Sequence, residues 1–85
     1  MSENSKIEDL RRQIDQLDEE ILRLVNERID RAKEVGALKS ESGDKTVYRP
    51  EREAQVLQRL TEINSGPLRP AQLLTIFREI ISIAR

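Results

Sequence analysis

Residues 7–24 read IEDLRRQIDQLDEEILRL, and an apolar series runs through them at Ile7, Leu10, Ile14, Leu17, Ile21 and Leu24. The steps alternate between three and four residues. That is an a/d seam of the coiled-coil kind, sustained over almost three heptads. Just ahead, Ser5-Lys6-Ile7-Glu8 has the spacing of a capping box. The stretch therefore predicts a helix, and a long one. From Lys6 to Glu41 the only breaker is Gly36.

Working outward, residues 1–5 (MSENS) are polar and expected to be a disordered tail. The first helix is expected over about 6–41. Ser42-Gly43-Asp44-Lys45 follows as a loop. Arg49-Pro50 opens a second helix, about 50–64, which stops at Asn64-Ser65-Gly66-Pro67. Arg69-Pro70 opens a third, about 70–85. The prolines sit where first-turn prolines belong, and Gly43 and Gly66 where helices stop. The second helix carries Ala54, Leu57, Leu60 and Ile63; the third carries Leu73, Leu74, Phe77, Ile80, Ile81 and Ala84. There is no internal repeat. The expectation is an all-α single domain over 1–85, with three helices per chain.

Such a domain is thin in core material. Hydrophobic residues are 36% of 85, with no Trp, one Tyr and one Phe. A helix over 6–41 spans about 54 Å at 1.5 Å per residue. A compact globule of this size is only about 31 Å across. The surplus helix still carries apolar side chains, and a second copy of the chain would cover them. The expected assembly is a helical homodimer with the first helix as its spine.

Composition also removes chemistries. With no Cys and no His, there is no disulfide framework, thiol nucleophile, Ser-His-Asp triad or ordinary zinc site. No metal or cofactor is expected. No apolar run approaches the roughly 20 residues of a membrane helix. Fifteen cations against sixteen acids leave a net charge of −1, which argues against nucleic-acid and anionic-membrane partners. A cytoplasmic location is expected. Eleven of the fifteen cations are Arg, the side chain suited to bidentate carboxylate binding.

Extending the heptad past Leu24 puts Arg28 at position a and Arg31 at position d, ahead of Val35 and Leu38. Two arginines in an apolar seam require an anion nearby or a wet site. The anion can be a glutamate of a partner helix or a ligand. Lys39 lies eleven residues beyond Arg28, close to three helical turns, so the two cations point almost the same way. Arg11 is about 25 Å of helix from Arg28, and an antiparallel partner could bring its own Arg11 between Arg28 and Lys39. Arg52 and Glu53 stand in the first turn of the second helix, where Glu also suits the helix dipole. Asp18 reads as a salt-bridge partner or a solvated residue. These cations and one carboxylate suit a small polyanion and a reaction without a proton shuttle.

The tract Leu10–Asp18, then Asn26-Glu27-Arg28, Ala32–Lys39 and Arg52-Glu53, resembles the all-helical (AroQ-class) chorismate mutases. Tyr48–Leu57 together with Phe77–Ser82 most resembles the mutase domain of bacterial bifunctional chorismate mutase–prephenate dehydratases. The resemblance covers roughly residues 7–85. It implies an intertwined homodimer with two shared sites and a cofactor-free Claisen rearrangement of chorismate to prephenate, a step in phenylalanine and tyrosine biosynthesis. By position, Arg11 of the partner chain and Arg28 would grip the substrate carboxylates. Lys39 would donate to the ether oxygen, Glu53 would accept from the ring hydroxyl, and Arg52 would support the carboxylate side. Arg49 and Ala84 would also line the site. The parent protein could carry a dehydratase domain as well.

The sequence departs from the family pattern in places. Many relatives have Asp where Arg49 stands and Ser where Ala84 stands. Relatives also carry a Gln or Glu one turn beyond Ala84, whereas this sequence runs to Arg85; turnover limited at that end is the corresponding expectation. Isochorismate-pyruvate lyases share the same helical architecture, and a non-catalytic dimerisation or regulatory module is the alternative from a different class.

Overall fold

A computed structural model describes residues 2–43 and 49–84, and among them all regular structure is helical: α1 is Glu3–Glu41, α2 is Pro50–Ile63 and α3 is Pro70–Ile83. Asp44, Lys45, Tyr48 and Arg85 lie outside the described residues. No described helix is long and apolar enough to cross a membrane. The chain divides into two units, Met1–Asp30 and Arg31–Arg85.

In the first unit, α1 begins earlier than the sequence predicts. Residues 3–5, expected in a disordered tail, are helical. The cap is Ser2, not Ser5: the Ser5 N–H donates to the Ser2 hydroxyl at 3.3 Å, and the Lys6 N–H to the Ser2 carbonyl at 3.3 Å. Glu3 then occupies the first turn, where the dipole favours an acid. The Ser5–Glu8 box does not form, and Glu8 pairs instead with Arg11 at 2.9 Å. Arg12 pairs with Asp9, and Arg23 with Glu27 at 3.0 Å. Each exposed pair of this kind contributes only about 0.3–0.5 kcal/mol, so they support the helix without deciding it.

The seam itself is uncovered. Ile14 is 55% exposed, Leu17 55% and Ile21 58%, with Ile7, Leu10 and Leu24 similar. The half-buried residues of this unit's α1 are Asp9, Val25, Arg28 and Ile29. Helix propensity and ion pairs hold α1 locally, while its longest apolar stripe remains in solvent.

The second unit has a small core where α2 packs on α3. Leu73, Val56 and Ile81 are buried, flanked by half-buried Leu57, Leu60, Leu74, Phe77 and Ile80. The α3 stripe is the one its sequence predicts. The α2 stripe is not. Ala54 and Ile63 are exposed, and the covered face runs Glu53, Val56, Leu57, Leu60, Asn64. The reason is geometric. The series 54, 57, 60, 63 advances in threes only, so it drifts about 60° per step on a helix of 3.6 residues per turn and leaves its face. Steps of four, three and four, from 53 to 57, 60 and 64, stay on it. That correction places Glu53 on the covered side of α2.

The turns are set by particular bonds. Asn64 closes α2: its N–H donates to the Leu60 carbonyl at 3.0 Å, its Nδ2 to the Leu68 carbonyl at 2.7 Å, and its Oδ1 accepts from the Gly66 N–H at 3.2 Å. At the start of α3 the Arg69 N–H donates to Gln72 Oε1 at 3.1 Å, and Pro70 follows as the first helical residue. At the other end of the unit, α1 stops at Ser42-Gly43. Gly43 has φ +85°, the left-handed conformation that glycine adopts without a Cβ clash.

Candidate active site

Arg28 and Lys39 are the only described cations that are not fully exposed; both are half-buried. Among the described residues, neither side chain has a hydrogen-bond or ion-pair partner. Arg31, the other seam arginine, behaves differently. It is exposed and lies 4.0 Å from Glu34. Among the described residues, Arg31 thus has an acid beside it on its own helix and Arg28 does not. A partly desolvated guanidinium or ammonium without an anion keeps its full capacity for one.

Among the described acids only Asp9 and Glu53 are half-buried. Asp9 is taken by Arg12. Glu53 sits in the first turn of α2, and its N–H donates to the Arg49 carbonyl at 3.0 Å. Both Arg49 and Glu53 are engaged by other groups. Arg49 is the residue before Pro50, with φ −127° and ψ 84°, and its side chain makes no capping bond. An Asp at this position could cap α2; arginine has no acceptor to do so. Arg52 is exposed and has no ion pair among the described residues. Ala84 is half-buried at the end of α3, where its N–H donates to the Ile81 carbonyl at 3.2 Å.

The sequence-predicted residues therefore divide between the units. Arg11 and Arg28 belong to Met1–Asp30; Lys39, Arg49, Arg52, Glu53 and Ala84 belong to Arg31–Arg85. Arg49, Arg52 and Glu53 are brought together at the start of α2. Arg11 is exposed and pairs with Glu8 on its own helix. Asp18 is exposed without an ion pair among the described residues, so it is solvated. A shallow hollow lined by Asn4, Ser5, Glu8, Asp9 and Arg12 contains none of the candidate residues.

One residue passed over as loop belongs beside Lys39. The Ser42 hydroxyl donates to the Lys39 carbonyl at 2.8 Å. The signal was present, since Ser and Gly directly after a helix are carbonyl-capping residues.

Comparison with known proteins covers nearly the whole chain. Residues 10–85 match the profile of the family "Chorismate mutase type II". The bifunctional chorismate mutase/prephenate dehydratase of Stutzerimonas stutzeri is 46% identical over 96% of this chain and 24% of its own length. That of Neisseria gonorrhoeae is 49% identical over 85% of this chain and 19% of its own. The chain thus spans at most about a quarter of these curated relatives. Among solved structures, a chorismate mutase from Thermus thermophilus superposes with a TM-score of 0.89 at 36% identity, covering 94% of this chain and 99% of that one.

Proposed function

The chain belongs to the chorismate mutase type II family, and we propose that it rearranges chorismate to prephenate at sites shared between two copies. The observation that supports this most is the half-burial of Arg28 and Lys39 without an anion among the described residues. Cations kept partly out of water call for an anion, from a partner chain or from a ligand, and chorismate is a dicarboxylate.

The rearrangement is unimolecular and pericyclic. One C–O bond breaks as one C–C bond forms, with no proton transferred and no covalent adduct. Rate enhancement then comes from holding a compact conformer and stabilising the charge that develops on the ether oxygen. Arg28, with Arg11 of the second copy, takes the two carboxylates; Arg52 and Arg49 add positive charge on that side. Lys39 donates to the ether oxygen as its bond breaks. Such an interaction is stronger in the transition state than in the ground state and therefore raises turnover. Glu53 accepts from the ring hydroxyl, and Ala84 lines the wall.

The homodimer draws support from the seam and from charge. Six apolar side chains of α1 stand about half exposed, and covering them offers on the order of 5 kcal/mol or more per chain. Residues 1–30 hold five cations and nine acids, and residues 31–85 ten and seven. Within α1 itself, residues 3–22 hold three cations and seven acids and residues 23–41 five and four, so antiparallel α1 helices would set an acidic half against a weakly basic one. The product prephenate suits a dehydration step of the kind named in the bifunctional relatives, in the cytoplasm.

Incubation with chorismate and, separately, with isochorismate tests the reading. Prephenate from the first and no pyruvate from the second is the expected result. Salicylate and pyruvate from isochorismate, with chorismate untouched, would make the chain a lyase instead.

A further inference from the structure

The end of α1 is closed by three bonds to three successive carbonyls. The Ser42 N–H donates to Leu38 at 3.1 Å, the Ser42 hydroxyl to Lys39 at 2.8 Å and the Gly43 N–H to Ser40 at 3.1 Å. In a continuing α-helix the Lys39 carbonyl would accept the N–H of residue 43. Here that N–H donates to Ser40 instead, and Gly43 then leaves the helix with φ +85°. Lys39 is left with one of the orphan carbonyls of a helix terminus, and the Ser42 hydroxyl satisfies it. Thr61 and Thr75 also donate to carbonyls, at Leu57 and Ala71, but those bonds lie inside helices, where the ladder continues.

We infer that Ser42 is a positioning residue for Lys39. The inference rests on the reading of Lys39 as the ether-oxygen donor. A lysine side chain has four rotatable bonds, so its aim depends on a fixed backbone and on its surroundings. Lys39 is half-buried while Leu38, one residue before it, is 64% exposed. Successive helix residues point about 100° apart, so an intact last turn keeps Lys39 on the more covered side while Leu38 faces solvent. Removing the hydroxyl opens the middle link of the three and lets the last turn sample non-helical states, in which the ammonium no longer points at its target. The binding arginines lie elsewhere and keep their grip.

The test compares Ser42→Ala and Ser42→Thr with chorismate as substrate, in the unmodified chain and in Lys39→Ala. Ser42→Ala is expected to lower kcat about three- to tenfold, the factor carried by one net hydrogen bond, with KM within about twofold. Ser42→Thr, which keeps the hydroxyl, should recover most of the rate. In the Lys39→Ala background, Ser42→Ala should change nothing further. An unchanged kcat in Ser42→Ala, or an equal loss in the Lys39→Ala background, overturns the inference. A loss that comes with a lowered global melting temperature also overturns it, leaving Ser42 a structural cap. Full turnover by Lys39→Ala would instead remove the donor role of Lys39, and this inference with it.

Discussion

Arg11 Nη1 lies 2.9 Å from Glu8 Oε1, one turn back on the same exposed helix. The pair holds the guanidinium at the surface of α1, available to a second molecule rather than buried within its own. An exposed pair of this kind is worth about 0–1 kcal/mol. Arg11→Ala should therefore leave helicity and melting temperature almost unchanged while raising KM for chorismate at least tenfold. Glu8→Gln, which frees Arg11, should change KM by no more than about threefold, in line with the same small energy. Circular dichroism alongside steady-state kinetics checks both.

If Arg11 acts across the dimer and Arg28 within its own chain, mixing two inactive variants restores activity. Chains of Arg11→Ala and Arg28→Ala, unfolded together and refolded, should form heterodimers in which one site keeps both arginines. About a quarter of the wild-type activity per total site is expected from statistical mixing. No recovery after verified exchange would place both arginines in one chain's site.

The uncovered seam leads to a prediction about assembly. Leu17→Asp puts a charge at the centre of a stripe whose members are each about half exposed. In a dimer it would bury an unpaired carboxylate, a cost of several kcal/mol. Sedimentation should show the parent chain near twice 9.9 kDa and the variant dissociated at micromolar concentration. If the parent sediments as a stable helical monomer, the shared-site account fails.

Within the second unit, Leu73 is 3% exposed and is the most buried side chain of the small core. Leu73→Ala should cost about 2–5 kcal/mol of unfolding free energy through lost burial and the cavity left behind. Ala54→Ser, on the exposed side of α2, should stay within about 0.5 kcal/mol. Urea melts of Ala54→Ser and of Val56→Ala, whose side chain is buried, separate the covered face of α2 from the one suggested by spacing in threes, with the larger loss expected at Val56.

Much of the fold was legible because its signals are local. The prolines at 50 and 70 and the glycines at 43 and 66 set the helix boundaries within three residues. The start of α1 was misread because Ser2 and Ser5 are both competent caps, and only the backbone path selects between them. Val56 was missed because a run of threes looks periodic over ten residues yet drifts off its face. For the candidate site, residue types were readable: an arginine in an apolar seam, a lysine eleven residues on, a glutamate in a first turn. The exposure that separates Arg28 from Arg31 was not, since both occupy seam positions in the sequence. Ser42 was hidden for another reason. Its partner is a backbone carbonyl, and a sequence does not show which N–H has left that carbonyl open.

The central claim is catalysis of the chorismate rearrangement, and the ultraviolet absorbance of chorismate measures it directly. With the chain present, absorbance should fall at a rate proportional to protein concentration and far above the uncatalysed rate, with prephenate as the product. Lys39→Ala should slow the fall by about 10²–10³, the loss typical of one key electrostatic donor. A decay that is the same with and without the folded chain would contradict the account.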